Sequence, residues 1–466
     1  MSNPFQELFD AQKANQYALA NTTAKERIKK LEALKKAIMV TYKEDIYKAL
    51  EADLNKPRVE TDLTELFPVI SEIKFAIKYM RTWVSNNYVK TPMSLLGASS
   101  WIKYEPKGVS LIIAPWNFPF HLALCPLVSA IAAGNTVVLK PSEMSPNVTD
   151  IIEKIIKDLF NENEIALVQG AVQESTDLLK LPFNHVYFTG SPQVGKIVMA
   201  AAAKHLASVT LELGGKSPTI VDSSASLKTA AKKIVWGRFA NAGQTCLAPD
   251  YVLVEQKVEK EFIGALKNAI TDFFTEHPMQ SEHYCKLIHE GHFDRMKGML
   301  DDAVKSGATV EIGGNSDKDI LRLEPTVLSN VTLVSRVMQE EIFGPLLPIV
   351  TFNTLEEAIE IIQSKEKPLG LYIYSSKNKN IKYLLDNTRA GSTCVNNNLI
   401  QYSNHYLPFG GSNNSGIGKV HGFYGFQEFS NARSVMKQHT FGAIQLLFPP
   451  YNNFKKRLTE FTVKWF

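Results

Sequence analysis

Cysteine is scarce in this chain: Cys125, Cys246, Cys285 and Cys394 are the four in 466 residues, far apart and without a CxxC pair. That spacing fits a reducing compartment rather than a disulfide framework. Long apolar runs are missing as well, so nothing in the sequence is suited to span a bilayer. The first residues, MSNPFQELFDAQKANQ, carry charges and amides where a signal peptide needs an apolar segment. An excess of one charge is also absent: 51 basic residues stand against 47 acidic ones, a net charge of +4. Together with the lack of a basic stripe with interleaved aromatics, this argues against nucleic acid as a partner. There is no internal repeat and no low-complexity segment. The expectation is a cytoplasmic protein that acts on a small molecule.

What is present is the composition of a globular protein, 45% hydrophobic and 21% charged, long enough for two or three domains. Residues 23 to 54 open it with amphipathic helices, marked by Ile28, Leu31, Leu34 and Ile38, then Ile46, Leu50 and Leu54. From 108 onward, short apolar runs alternate with helical stretches: GVSLIIA, NTVVLKP, IALVQG, HVYFTG and VTLEL. This alternation predicts a doubly wound parallel sheet. A second alternation follows LGGKSPTIV, with strands at YVLVE, PLLPIVTF and LGLYIYS and helices from about 226 and over 258 to 275, and predicts a second α/β domain. YVKTPMSLLGASSWIKYEP (88 to 106) and RSVMKQHT (433 to 440) look like strands of an extended arm, a feature that often pairs across subunits.

Several stretches are suited to chemistry. In NAGQTCLAPD, Cys246 follows Gly, Gln and Thr, which suit an exposed turn better than a core and pose the choice between nucleophile and filler. FTGSPQVGK (188 to 196) places Gly190 at a strand end and Gly195 at a helix start. There a backbone can approach a diphosphate, although the GxxxxG spacing is not the usual dinucleotide fingerprint and also fits an ordinary turn. VLKPSE puts Lys140 and Glu143 at another strand end, as a grip on ribose hydroxyls or as a surface loop of mixed charge. LELGGKSP carries Glu212 out of a strand into paired glycines, a suitable general base or a solvated carboxylate. PWNFP holds Asn117 between prolines, as an oxyanion donor or a residue satisfying its own turn. His283, Cys285, His289 and His292 have the spacing of a helical zinc face. With no second ligand cluster, the stretch is expected to be an amphipathic helix that binds no metal. The tail PPYNNFKKRLTEFTVKWF spaces Phe454, Leu458, Phe461 and Trp465 as a basic amphipathic helix, expected to pack on its own protein rather than touch a membrane.

In this order, PWNFP, VLKPSE, FTGSPQVGK, LELGGKSP, FANAGQTC, QEEIFGPLLPIV and LPFGG resemble the aldehyde dehydrogenase superfamily over nearly the whole chain. The C-terminal SGIGKVHGFYGFQEFS and the PPY near the end resemble its class 3 branch, which takes fatty, medium-chain and aromatic aldehydes. The resemblance implies a variant Rossmann NAD(P)-binding domain, a catalytic α/β domain and a small β oligomerisation arm. These would comprise residues 1–85 and 107–211, residues 212–425, and residues 86–106 with 426–441, followed by the tail 442–466. It implies Cys246 as nucleophile, Glu212 as general base, and Asn117 with the Cys246 backbone N–H as oxyanion hole. For the cofactor it implies Trp116, Lys140, Glu143, Gly190, Ser191, Gly195, Leu213, Glu341 and Phe343. NAD is expected to be preferred with NADP tolerated, and a homodimer is expected. The implied activity is oxidation of an aldehyde to the acid through a thiohemiacetal and a thioester. A CoA-acylating relative and a catalytically silent nucleotide-binding protein are the alternatives. Ser412 and Asn413 depart from the class pattern of a small apolar residue and a glycine, so the loop after LPFGG is expected to differ in shape.

Overall fold

The computed structural model describes residues 3–440 and 442–465. The run GVSLIIA becomes the strand Val109–Ile113, and its period-two alternation explains why apolar residues fall on both faces. Val109, Leu111 and Ile113 face one core with Phe9 and Val198, while Ile112 faces the other with Phe120 and Leu124. A strand covered by helices on both sides has no polar face to show.

Around it, the strands Thr136–Lys140, Ile165–Leu167, His185–Gly190 and Ser208–Leu213 pair in parallel. A sixth strand comes from far along the chain. Gly416–Ile417 runs antiparallel on the outer edge, pairing Gly416 with Glu212 and Ile417 with Leu211. The expected division of the chain placed Gly416–Ile417 in the second domain, and here these two residues extend the sheet of the first. The reason is local: Leu213 N–H donates to the Ser415 carbonyl, so the edge of the first sheet is satisfied by the loop after LPFGG.

The second sheet has seven strands, ordered Thr309–Ile312, Thr326–Ser329, Leu346–Phe352, Tyr251–Glu255, Pro218–Val221, Gly370–Tyr374 and Ser392–Val395. All its pairs are parallel except that of the edge strand Thr309–Ile312. The arm is a three-stranded antiparallel sheet of Asn87–Val89, Ala98–Pro106 and Ser430–Gln438. The tail forms the helix Asn453–Trp465, in which no described residue is fully buried. Phe454, Phe461 and Trp465 are all exposed, and the helix lies against the preceding turn Ala443–Leu447. No described helix is long and apolar enough to cross a membrane.

Candidate active site

Cys246 follows a turn that an ordinary sequence would avoid. The helix Leu227–Phe239 ends, and Asn241, Ala242 and Gly243 take left-handed φ values of 52°, 52° and 76° in succession. Asparagine and glycine tolerate this region, but an alanine there costs about 1 to 2 kcal/mol. The surroundings hold the turn in place. Asn241 N–H donates to Glu60 Oε1 at 2.8 Å, and its side-chain amide donates to the carbonyls of Asn117 at 2.8 Å and Gln244 at 3.1 Å. Gln244 donates from its amide to Lys286 O at 3.1 Å and accepts from Ile288 N–H at 3.0 Å. Strain enforced in this way marks a site whose geometry matters. A Cβ on Gly243 would intrude on the Gly344 carbonyl. Gly243→Ala is therefore expected to lower the melting temperature and to cut kcat by ~10²-fold through displacement of the cysteine; thermal unfolding and steady-state kinetics check it.

The turn aims the backbone N–H groups of Cys246 and Leu247 at the sulfur, which favours the thiolate. Burial, followed by the carboxyls of Glu341 and Glu212, works the other way and pushes the thiol up to about 12. Glu212, at the end of Ser208–Leu213, is itself pushed well above the usual carboxylate range by burial, and its Oε1 has no hydrogen-bond partner among the described residues. The cysteine and the glutamate therefore meet at one site, as sequence alone could only suggest. Asn117 joins them. Its amide donates one hydrogen to Gln244 O at 3.0 Å, which leaves the second N–H for another acceptor. The buried Lys56–Glu65 ion pair, 2.5 Å long, and the Glu65 acceptance of His121 N–H at 2.9 Å fasten the helix that begins just after Asn117.

Two cavities meet here. A cleft of about 1070 Å³ runs past Trp116, Gly190, Ser191, Glu341 and Phe343, and a narrower cavity of about 170 Å³ runs past Phe118, Tyr402 and Leu399. Leu122, Thr189, Glu212 and Cys246 line both. The larger cleft fits a dinucleotide. Ser191 caps the helix Pro192–Ala203 by accepting Val194 N–H, so the positive end of a twelve-residue helix opens at the cleft wall. Gly195 allows Leu213 to pack directly against that helix, where a Cβ would lie 2.7 Å from a Leu213 methyl. Lys140 and Glu143 come together, 3.9 Å apart, at the end of the strand Thr136–Lys140, outside the residues that line the cleft.

Glu341 and Phe343 lie on a loop whose anchors sequence reasoning missed. Arg295 donates to Glu341 O at 2.5 Å and Ile342 O at 2.7 Å, and His292 Nε2 lies 2.8 Å from Phe343 O. Phe343, at φ 55°, meets the Trp116 ring edge-on at 5.4 Å. Burial pushes the Glu341 carboxyl up to about 8, and its oxygens rest against Gly214, where no side chain intervenes. The expectation of one helix over the His283, Cys285, His289 and His292 stretch is corrected. The helix begins at Glu290 with His289 as its cap, while Cys285 precedes it and faces Glu60. In the loop after LPFGG, Asn413 adopts φ 56°, a left-handed position in which asparagine stands in for glycine, and its side chain accepts from Lys367 at 2.6 Å.

Two largely parallel sheets, a dinucleotide-sized cleft at the carboxyl ends of one, and a cysteine beside a buried glutamate at its inner end define a nicotinamide-dependent oxidoreductase. The chain belongs to the aldehyde dehydrogenase family, whose model matches residues 4–435. It is similar to the mouse aldehyde dehydrogenase family 3 member B3, 40% identical over 465 residues, with 99% of this chain and 96% of the other covered. It is also similar to the dog dimeric NADP-preferring aldehyde dehydrogenase, 41% identical over 410 residues, covering 88% and 89%. The solved structure of a substrate-bound Staphylococcus aureus AldH superposes with a TM-score of 0.95 at 40% identity, covering 99% of this chain and 100% of that one. The class 3 resemblance holds, and the enzyme is an NAD(P)-dependent aldehyde dehydrogenase that makes carboxylic acids.

Proposed function

We propose that this enzyme oxidises medium- to long-chain aliphatic or aromatic aldehydes, with Cys246 as nucleophile and Glu212 as the base that activates water. The observation that carries the reading is the meeting of the two cavities at Cys246 and Glu212. The narrower one is walled by Phe118, Leu122, Leu247, Leu399 and Phe409, a lining for an apolar chain and not for a small hydrophilic aldehyde.

The Cys246 thiol gives up its proton to solvent as its sulfur adds to the aldehyde carbon, and the second N–H of the Asn117 amide together with the Cys246 backbone N–H receives the developing oxyanion. NAD(P)+, when bound in the cleft, supplies the acceptor for the substrate hydrogen and its electron pair. A thioester then remains on Cys246. Glu212 removes a proton from water, whose oxygen attacks the thioester carbon, and the acid is released. Retention of Glu212 favours water over CoA as the acceptor of the acyl group.

Trp116, Ser191, Gly190, Glu341 and Phe343 would border the nucleotide, with Gly195 and Leu213 packed beneath the helix that faces its diphosphate. Lys140 and Glu143 would take the adenosine ribose. The Glu143 carboxylate disfavours a 2′-phosphate while the Lys140 ammonium accepts one, which supports NAD preference with NADP use. The arm supports a homodimer, because Ser430–Gln438 leaves a nine-residue sheet edge that is largely exposed. Four unpaired thiols are consistent with a cytoplasmic site of action. Steady-state kinetics over aliphatic and aromatic aldehydes with both cofactors tests the reading. The expected result is a kcat/KM that rises with chain length or ring size and is larger with NAD. A preference for acetaldehyde or for NADP overturns the corresponding part.

A further inference from the structure

A buried carboxylate with a free oxygen tends to neutralise itself by binding a proton, and a neutral Glu212 takes no proton from water. What faces it therefore decides how the second half of the reaction runs. Tyr187 approaches from the neighbouring strand and Cys246 from the nucleophile turn. Lys419 and Glu428 approach from the segment that closes the sheet edge and from the helix Gly422–Glu428. Lys419 is the cation in this group.

Its placement is built, not incidental. The Lys419 ammonium donates to the carbonyl oxygens of Gly410 at 2.5 Å and Gly411 at 2.8 Å, which lock an otherwise mobile side chain. A Cβ on Gly410 would lie 3.1 Å from Glu212 Oε1 and 3.2 Å from Lys419 Cδ, so the bare backbone of LPFGG is what lets the two side chains approach. Behind them, Glu428 accepts from Thr210 Oγ1 at 2.5 Å and from Lys419 N–H at 3.2 Å. Lys419 thus has two carboxyl neighbours, Glu212 and Glu428.

We infer that Lys419 is a positioning residue for the base: clamped by the Gly410 and Gly411 carbonyls beside Glu212, its ammonium favours the carboxylate form that thioester hydrolysis needs. The inference rests on the reading of Glu212 as the water-activating group. In that step the carboxylate takes one proton from water as the water oxygen bonds to the acyl carbon. The carbon–sulfur bond breaks, and the proton passes from Glu212 to the Cys246 sulfur, so acid and thiol are both accounted for. The Lys419 ammonium itself is destabilised by burial and supported by Glu212 and Glu428, which makes the attraction mutual.

The experiment compares wild type, Lys419→Gln, Lys419→Arg and Glu428→Gln by stopped-flow and steady-state NADH formation from pH 6 to 10. For Lys419→Gln the initial NADH burst should persist, while steady-state turnover at pH 7 falls about tenfold and the midpoint of its alkaline rise moves up by about one unit. Lys419→Arg should restore the midpoint. Glu428→Gln should move it in the opposite direction, which keeps the inference testable even if Lys419→Gln does not fold. A uniform loss at every pH, or midpoints unmoved in the variants that fold, overturns it. Glu212→Gln separates the two levels: undiminished steady-state turnover there sinks the reading of Glu212, whereas arrested hydrolysis there with an unmoved Lys419→Gln midpoint sinks only the role of Lys419.

Discussion

Replacing Cys246 by alanine is expected to lower NADH formation from any aldehyde by ~10⁴-fold or more, because the covalent path disappears with the sulfur. Nucleotide binding should be unaffected. The sulfur lies where the two cavities join, while the helix Pro192–Ala203 and the Trp116–Phe343 pair are formed by other segments. The variant should therefore quench or shift a nucleotide-binding signal as wild type does and still produce no burst. The pH dependence of the parent enzyme follows from the same site. With the thiol pushed up to about 12, the thiolate is a minor form at neutral pH, and its population grows as pH rises. Thiol alkylation of the free enzyme should accelerate from pH 7 to pH 10, and the alanine variant should lose that alkylation. Turnover retained in the variant would remove Cys246 from the reaction.

Glu212→Gln should divide the reaction in two. The first NADH equivalent should still appear, since the N–H groups of Cys246 and Leu247 remain beside the sulfur. Later turnovers should slow by ~10² to 10⁴-fold, the range for loss of a general base. An acyl-enzyme should accumulate and be visible as a mass increase on the chain. The sign of the pH effect is also set. Burial raises the Glu212 carboxyl, so its basic form gains population as pH increases, and the alkaline rise in steady-state turnover should vanish in the glutamine variant. A variant that turns over normally without accumulating an acyl-enzyme would assign water activation elsewhere.

The order of strands was legible because each is a short apolar run ended by glycine, proline or a polar turn, and the helices between them carry amphipathic stripes. Val109–Ile113, Thr136–Lys140 and His185–Gly190 fall where that alternation predicts them. Candidate side chains were legible for a different reason: each stands in a local setting unsuited to its ordinary use, as Cys246 does among Gly, Gln and Thr. Less visible were the groups that hold those settings in place. Glu60 reaches the Asn241 amide from 181 positions away, and Arg295 binds the carbonyls of the Glu341 loop. Neither carries a local signal, because a buried acceptor or donor is recognisable only by its distant partner. The tail illustrates the limit from the other side. Its stripe of Phe454, Leu458, Phe461 and Trp465 does predict a helix, but periodicity records only that a face exists and not what covers it.

The sequence by itself determined the class of fold and the family and named the side chains proposed for the chemistry, since these depend on local periodicity and on residue types in a fixed order. The tertiary structure decided which of them share a volume. It brought Gly416–Ile417 onto the edge of the first sheet, and with that strand the Lys419 charge to Glu212. It also enforced three left-handed residues before Cys246 and broke the apparent histidine face into a helix cap and a loop anchor. Charge and strain act over a few ångströms through space, and the chain brings such neighbours together from positions hundreds of residues apart.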